Sequence, residues 1–395
     1  MDTGNNAKPF LDESVWREFC EVITSYPIFQ YEHKGHYDLA CAVIHRMDTC
    51  VQYLNHHSEY PKTEEAFLTF VMFSCMCVDA VKEILTDVGV HSKGQATFGD
   101  NRDYQFFKKT CLTALKLTEK DCPTDDKFFE YFRSLAFAHP FETSRPKFFQ
   151  PKEIQYSPWV IAGNATTIFS NMKNPVGVRI YSNMFDSILD LRFPFDTLKD
   201  YIASRYKRLQ LATDWANQQV AEARLEWKKQ KINQNQAPDI VLKEIKKILI
   251  SRHIDDDDVD IALSYLTCPL TIPENEQAVQ NFRKAIVGII PDLCHALENL
   301  DDEQFFDLLD SVINVHPRNM HQGAFYQLQK IHEYLRDDIP VDFEDVKWGL
   351  KQAEAFSEGF AAKKWVIIKP QEMSFNEIKL LVSVACYLTK QCERQ

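Results

Sequence analysis

The chain has 395 residues, 45% of them hydrophobic and 26% charged, with 45 Lys and Arg against 57 Asp and Glu and a formal net charge of −12. At about 100 to 200 residues per domain, this length predicts two or three domains with ample core, and the composition excludes a disordered, collagen-like or disulfide-scaffold chain. Its 11 glycines include no G-x-G-x-x-G and no G-x-x-x-x-G-K-[ST]. The loops that bring backbone up to the phosphates of a dinucleotide or a nucleoside triphosphate are therefore excluded.

The opening residues, MDTGNNAKPFLDES, carry acids and amides where a secretory signal has a positive start and an apolar run. The longest uncharged apolar stretch, 66–78, has 13 residues and is too short to span a bilayer; no membrane partner is expected. The cysteines are odd in number at 11, and Cys41, Cys75, Cys111 and Cys386 fall at apolar positions of helical patterns. They read as reduced thiols acting as small hydrophobes, and the chain as cytoplasmic.

Apolar spacing of three and four predicts helices over 14–26, 36–57, 63–88, 101–118 and 125–138. Pro61 precedes Thr63, Glu64 and Glu65, an N-cap followed by first-turn acids, and Gly89 closes that helix. Thr124, Asp125 and Asp126 open the fifth, which Pro140 ends. The texture then changes to short strands at 156–161, 176–181 and 188–193, separated by Gly, Asn and Pro. From Asp196 no Gly or Pro occurs until Pro238, which predicts one helix of about 40 residues, on the order of 60 Å long. Helical patterns resume at 239–252, 257–266, 275–299, 302–315, 321–337, 343–362 and 375–392, with Ser374 and Glu377 forming a capping box and 365–369 an extended piece. The fold class is thus mainly α: a helical bundle over 1–150, short strands with a long basic helix over 151–237, and a second helical domain over 238–395.

Charge follows the same division. Residues 1–150 carry 16 basic and 22 acidic residues, 151–235 carry 12 and 8, and 236–395 carry 17 and 27. The middle segment alone is net basic, through Arg205, Lys207, Arg208, Arg224, Lys228, Lys229 and Lys231 among others. Such a run reads either as a solvated helix face or as a track for a nucleic-acid backbone.

Near the end of the fifth helix stand Glu130, Arg133, Ser134 and, with five residues between it and Arg133, His139 followed by Pro140. Clash with the proline ring pushes His139 out of the helical region, so it sits just past the negative end of the helix dipole, where an imidazolium is favoured. Arg133 supplies a permanent planar cation able to grip phosphate oxygens through two donors, and Glu130, at i−3, either orients or neutralises it. This pattern at the end of a late helix in a bundle resembles the R-x4–6-H motif of HEPN-domain ribonucleases, over roughly residues 12–150. The family often has Asn, Asp or His after the Arg, where this chain has Ser134.

The resemblance implies a metal-independent endoribonuclease or RNA-binding protein, of a kind common in toxin and defence systems. It implies a homodimer pairing two such helices, no cofactor, and a site of Arg133, His139, Glu130 and Ser134. Cleavage would use the 2′-OH of RNA itself, with a base for that hydroxyl, an acid for the 5′-oxygen and a cation beside the phosphorane. Arg145 and Lys147 in the following loop, with Thr143 and Ser144, and Arg205 and Arg208 on the basic helix are candidate phosphate contacts. The alternative, from a different class, is a non-catalytic helical scaffold that binds a protein partner through the aromatic-rich second domain. Residues 301–317, DDEQFFDLLDSVINVHP, also echo 125–140, with Asp310 in the place of Arg133; a decayed duplication and a coincidence both fit.

Other constellations carry less. His33, His36, His45, His56 and His57 lack the spacing of a zinc site, and His56 and His57 read as caps of a helix end. The acidic run Asp255, Asp256, Asp257 and Asp258 lacks the glycine and spaced acids of a calcium loop and reads as favouring the next helix N-terminus.

Overall fold

In the computed structural model the described residues are 9–90, 105–141, 143–144, 153–163, 172–318, 320–336, 342–360 and 362–393. Helices dominate, as the composition and periodicity predict, and no described helix is long and apolar enough to cross a membrane. The chain divides into two compact units, 1–220 and 221–395.

The first unit opens with α1 (Glu13–Ser25), capped by Asp12, whose carboxylate accepts from the amide of Ser14 and which buries Val15, Trp16, Phe19 and Ile23. After the short α2 (Pro27–Tyr31) come α3 (Lys34–His56) and α4 (Glu64–Asp87), packed on each other. The Thr63 hydroxyl caps α4 by accepting from the amide of Ala66, as its sequence position dictates. His56 and His57 bond back to the carbonyls of Gln52 and Tyr53 and so close α3. Helix α5 is short (Lys108–Thr113), so the predicted helix over 101–118 forms only in its middle, and 101–104 lie outside the described residues. Helix α6 (Asp125–Arg133) follows.

The three predicted strands form and, joined by a two-residue strand at Thr143–Ser144 in what the sequence reads as a loop, make an antiparallel sheet in chain order: β1 (Thr143–Ser144), β2 (Ile154–Ile161), β3 (Pro175–Ser182) and β4 (Phe185–Pro194). Alternation places Val176, Val178 and Ile180 of β3 and Leu191 and Phe193 of β4 on one buried face. Phe193 meets Phe107, Phe128 and Phe132 of the bundle at ring-centroid distances of 5.3, 6.0 and 5.0 Å. The bundle and the strands thus share one aromatic core, and the boundary expected near residue 150 falls inside the first unit.

The single helix expected from Asp196 to the region of Pro238 is not formed. Helix α7 (Phe195–Tyr206) passes through one tight 3-10 turn, Lys207–Leu209, into α8 (Gln210–Trp227), which ends ten residues early. Beyond it, KKQKINQNQA has no apolar face to bury. Ile232 is its one buried apolar residue, and its amide donates to Glu298, which also pairs with Lys231.

The second unit contains α9 (Pro238–Ser251), α10 (Asp257–Thr267), α11 (Glu276–Asn299), α12 (Asp302–Asp310), α13 (Gln322–Tyr334), α14 (Phe343–Gly359), α15 (Ala362–Trp365) and α16 (Phe375–Glu393). Leu242, Leu249, Phe282, Leu293, Leu297 and Leu381 are among its fully buried core residues. The Ser374 hydroxyl caps α16 by accepting from the amide of Glu377. The Glu377 side chain does not return the bond; it is buried and accepts from the amide and hydroxyl of Thr271, both at 2.7 Å. The echo in 301–317 is local, since α12 leads through turns into α13, whereas α6 leads into the sheet.

Candidate functional site

Helix α6 is fixed at its start by three local decisions. Thr124 caps it, Asp125 and Asp126 complement the positive end of its dipole, and Phe128, Phe129, Tyr131 and Phe132 bury its apolar side. Asp125 is buried and accepts from the amides of Phe107, at 2.8 Å, and Phe106. Burial pushes its carboxyl up to about 6, against the pull of those amides and of Arg205.

At the other end the α-helical ladder widens. Residues Ser134–Ala138 form one π-helical turn, in which the amide of His139 donates to the carbonyl of Ser134 at 2.7 Å. Single π turns are rare in helices and concentrate at functional sites. The turn keeps Leu135 and Ala136 buried while Phe137 is exposed. His139 leaves the helix with φ −142° and ψ 55°, as Pro140 requires, and its residue is exposed. The Pro140 carbonyl then accepts from the amide of Ser157 on β2 at 2.8 Å, which ties the end of this helix to the edge of the sheet.

Arg133, the last α-helical residue before the turn, is half-buried. Its Nη1 donates to Asp79 of α4 at 2.8 Å. Burial opposes the guanidinium charge, but Asp79 and the sulfur of Cys75, one turn before it on α4, more than offset this and hold the arginine pKa above its ordinary value. The Cys75 thiol is in turn pushed up to about 12, chiefly by burial, so it is no nucleophile at neutral pH. The Asp79 side chain is 55% exposed. An ion pair so open to water is worth at most about 1 kcal/mol.

Of the residues singled out from sequence, Arg133, Ser134 and His139 bracket this π turn. The carboxylate that holds Arg133 is Asp79 rather than Glu130, which is exposed; Glu130 is joined to the site only by its carbonyl, which accepts from the Ser134 hydroxyl at 3.0 Å. Arg145 and Lys147 lie outside the described residues. Arg205 is not on a solvated face. It is 1% exposed and forks onto Asp126 of α6, at 2.8 and 3.2 Å, because the neighbouring Tyr201 and Tyr206 turn this side of α7 into the core. Arg208 is half-buried in the 3-10 turn. The sequence reading passed over Asp79, whose one available signal was its place four residues after Cys75 on one helix face. It also passed over Trp159, Arg179 and Arg192 on the sheet.

Elsewhere, His36 bonds Asp87 at 2.6 Å, and among the described residues no group of three or more His, Cys, Asp or Glu is placed to hold a metal ion. All eleven cysteines are free thiols. Comparison of the chain with protein-family models, with curated proteins and with solved structures gave no match.

Proposed function

We propose that the exposed end of α6 is a HEPN-like, metal-independent RNA site, which makes the protein an endoribonuclease or an RNA-binding protein. The observation that carries this reading is the π turn that separates a half-buried, carboxylate-steered guanidinium from an exposed imidazole. In this role Arg133 exchanges Asp79 for a phosphodiester, which it grips through two donors. His139 takes the proton of the 2′-OH as that oxygen attacks phosphorus, or gives one to the departing 5′-oxygen, leaving a 2′,3′-cyclic phosphate. One imidazole serves one of these transfers, and a second copy of the chain would supply the other, so the reading includes a homodimer.

The test is cleavage of single-stranded RNA by the full chain in EDTA, with end-group analysis. Wild type should give cyclic-phosphate ends, and Arg133→Ala and His139→Ala should each lower the rate by about 10²- to 10⁴-fold, the range for loss of a general acid or base. Undiminished cleavage by both variants, or a wild type that neither binds nor cleaves RNA, sinks the proposal. The second reading, a scaffold that docks a protein partner, is favoured by the exposed rings of Phe325, Tyr326, Phe343 and Trp348 on α13 and α14 and would stand if RNA were not bound.

A further inference from the structure

On the face of the sheet opposite the aromatic core, Ile161 and Gly177 are buried at one end, while Tyr156 and Trp159 stand exposed toward the other. Alternation from the buried Val176, Val178 and Ile180 places Gly177, Arg179 and Tyr181 of β3 on that face, with Asp190 and Arg192 of β4. Register then aligns Trp159, Arg179 and Asp190 straight across three strands, flanked by the pair Tyr156 and Tyr181. Trp159 is 54% exposed and Tyr156 40% exposed. The guanidinium of Arg179 lies 5.4 Å from the Trp159 ring centroid and forks onto Asp190 at 2.7 and 3.0 Å. Arg192 contacts the same carboxylate, and its buried Nε has no hydrogen-bond partner.

Two cations thus share one anion, a local positive excess within the one net-basic segment of a chain whose net charge is −12. Wetting a tryptophan and a tyrosine contributes nothing to the core. Rings in a row with guanidinium groups beside them are what a single strand needs, with bases stacking on the rings and phosphates meeting the arginines. Between the two rings in sequence lies Ser157, whose backbone amide holds the Pro140 carbonyl next to His139, so the end of α6 meets the edge of β2 between these two positions.

We propose that the outward face of β2, β3 and β4 is a stacking platform for single-stranded RNA, with Trp159 and Tyr156 taking bases and Arg179 and Arg192 taking phosphates. It deepens the RNA reading above and rests on it. Duplex RNA keeps its base faces covered, and an acidic peptide would leave the rings unused, so neither is the expected occupant.

The experiment measures binding apart from cleavage, by fluorescence anisotropy of a labelled, uncleavable 2′-O-methyl oligouridine of about twelve nucleotides, a length within the usual range of single-strand sites, on the full chain. Trp159→Ala and Tyr156→Ala should each weaken binding by about 5- to 150-fold, the loss of one stacked base. Trp159→Phe, which retains a ring, should restore it. Arg192→Ala should reduce the salt dependence of binding. Wild-type binding unchanged in Trp159→Ala, no binding by wild type, or equally tight Trp159-dependent binding of duplex RNA or poly-aspartate would overturn the platform. The two proposals fail separately. If the strand binds through Trp159 but no RNA is cut, the catalytic reading falls alone; if Trp159→Ala cuts RNA with unaltered KM, the platform falls alone.

Discussion

Arg205→Met tests whether the cation on α7 is an internal tie or a surface contact. In the native chain Arg205 donates Nε to one Asp126 oxygen at 2.8 Å and Nη2 to the other at 3.2 Å. The Tyr201 hydroxyl donates to the first oxygen at 2.8 Å, and the guanidinium lies 5.0 Å from the Tyr201 ring. The arginine side chain is 1% exposed and that of Asp126 14%. Methionine keeps the apolar stem, so packing is largely retained and the loss is electrostatic: a sheltered carboxylate left with one neutral donor. Breaking a buried pair in this way costs about 3 to 5 kcal/mol, a large part of the roughly 5 to 15 kcal/mol that stabilises a domain. Because a chain of two units need not unfold in one step, the assay is native-state hydrogen exchange of the α6 and α7 amides. Asp126→Asn in the Arg205→Met background should recover part of the loss by removing the stranded charge, and RNA binding per folded molecule should not change. A loss below about 1 kcal/mol, the range of surface ion pairs, would refute the internal tie.

Two further outcomes follow from the same unit. Asp125 holds its proton up to about pH 6 in the folded chain against an ordinary value of 3.8. A carboxyl whose pKa is raised by folding contributes stability that is full below about pH 4 and is lost as the pH climbs through 6, here about 3 kcal/mol at 1.36 kcal/mol per unit. Unfolding of wild type and Asp125→Asn across pH 4 to 7 should therefore show the gap moving in favour of the variant, and a pH-independent gap would contradict the assignment. Gly177→Ala should destabilise the sheet by at least the about 1 to 3 kcal/mol of ordinary overpacking, since a Cβ there would lie 1.8 Å from the Leu191 carbonyl oxygen. Wild-type thermal stability in that variant would mean that β3 and β4 are not in this register.

The features legible in the sequence are those decided within a turn or two of chain. Thr63, Thr124 and Ser374 each accept the capping bond that their positions predict, and the three predicted strands form, with register shifts between Tyr156 and Trp159 and between Ile180 and Ser182 that the sequence does not announce. Pro140 ends the helix that carries Arg133, although the π turn that precedes it left no mark in the spacing. The long helix failed because absence of Gly and Pro permits a helix without stabilising one; after Trp227 there is no apolar stripe to bury. Glu130 was a sound partner for Arg133 by spacing alone, and Asp79, on another helix, displaced it.

The sequence by itself determined the mainly helical class, the caps, the end of α6 at Pro140 and the basic character of 151–235, because helix, strand and cap signals act between residues a few positions apart. The tertiary structure alone decided which cations face water. Arg205 turned inward to Asp126, 79 residues away in sequence, and Arg133 stayed half-buried against the exposed Asp79, 54 residues away, while Trp159, Arg179 and Asp190 became neighbours only when three strands came into register. Burial and ion pairing depend on what packs opposite a side chain, and that is set by segments too far apart in sequence for any local pattern to report.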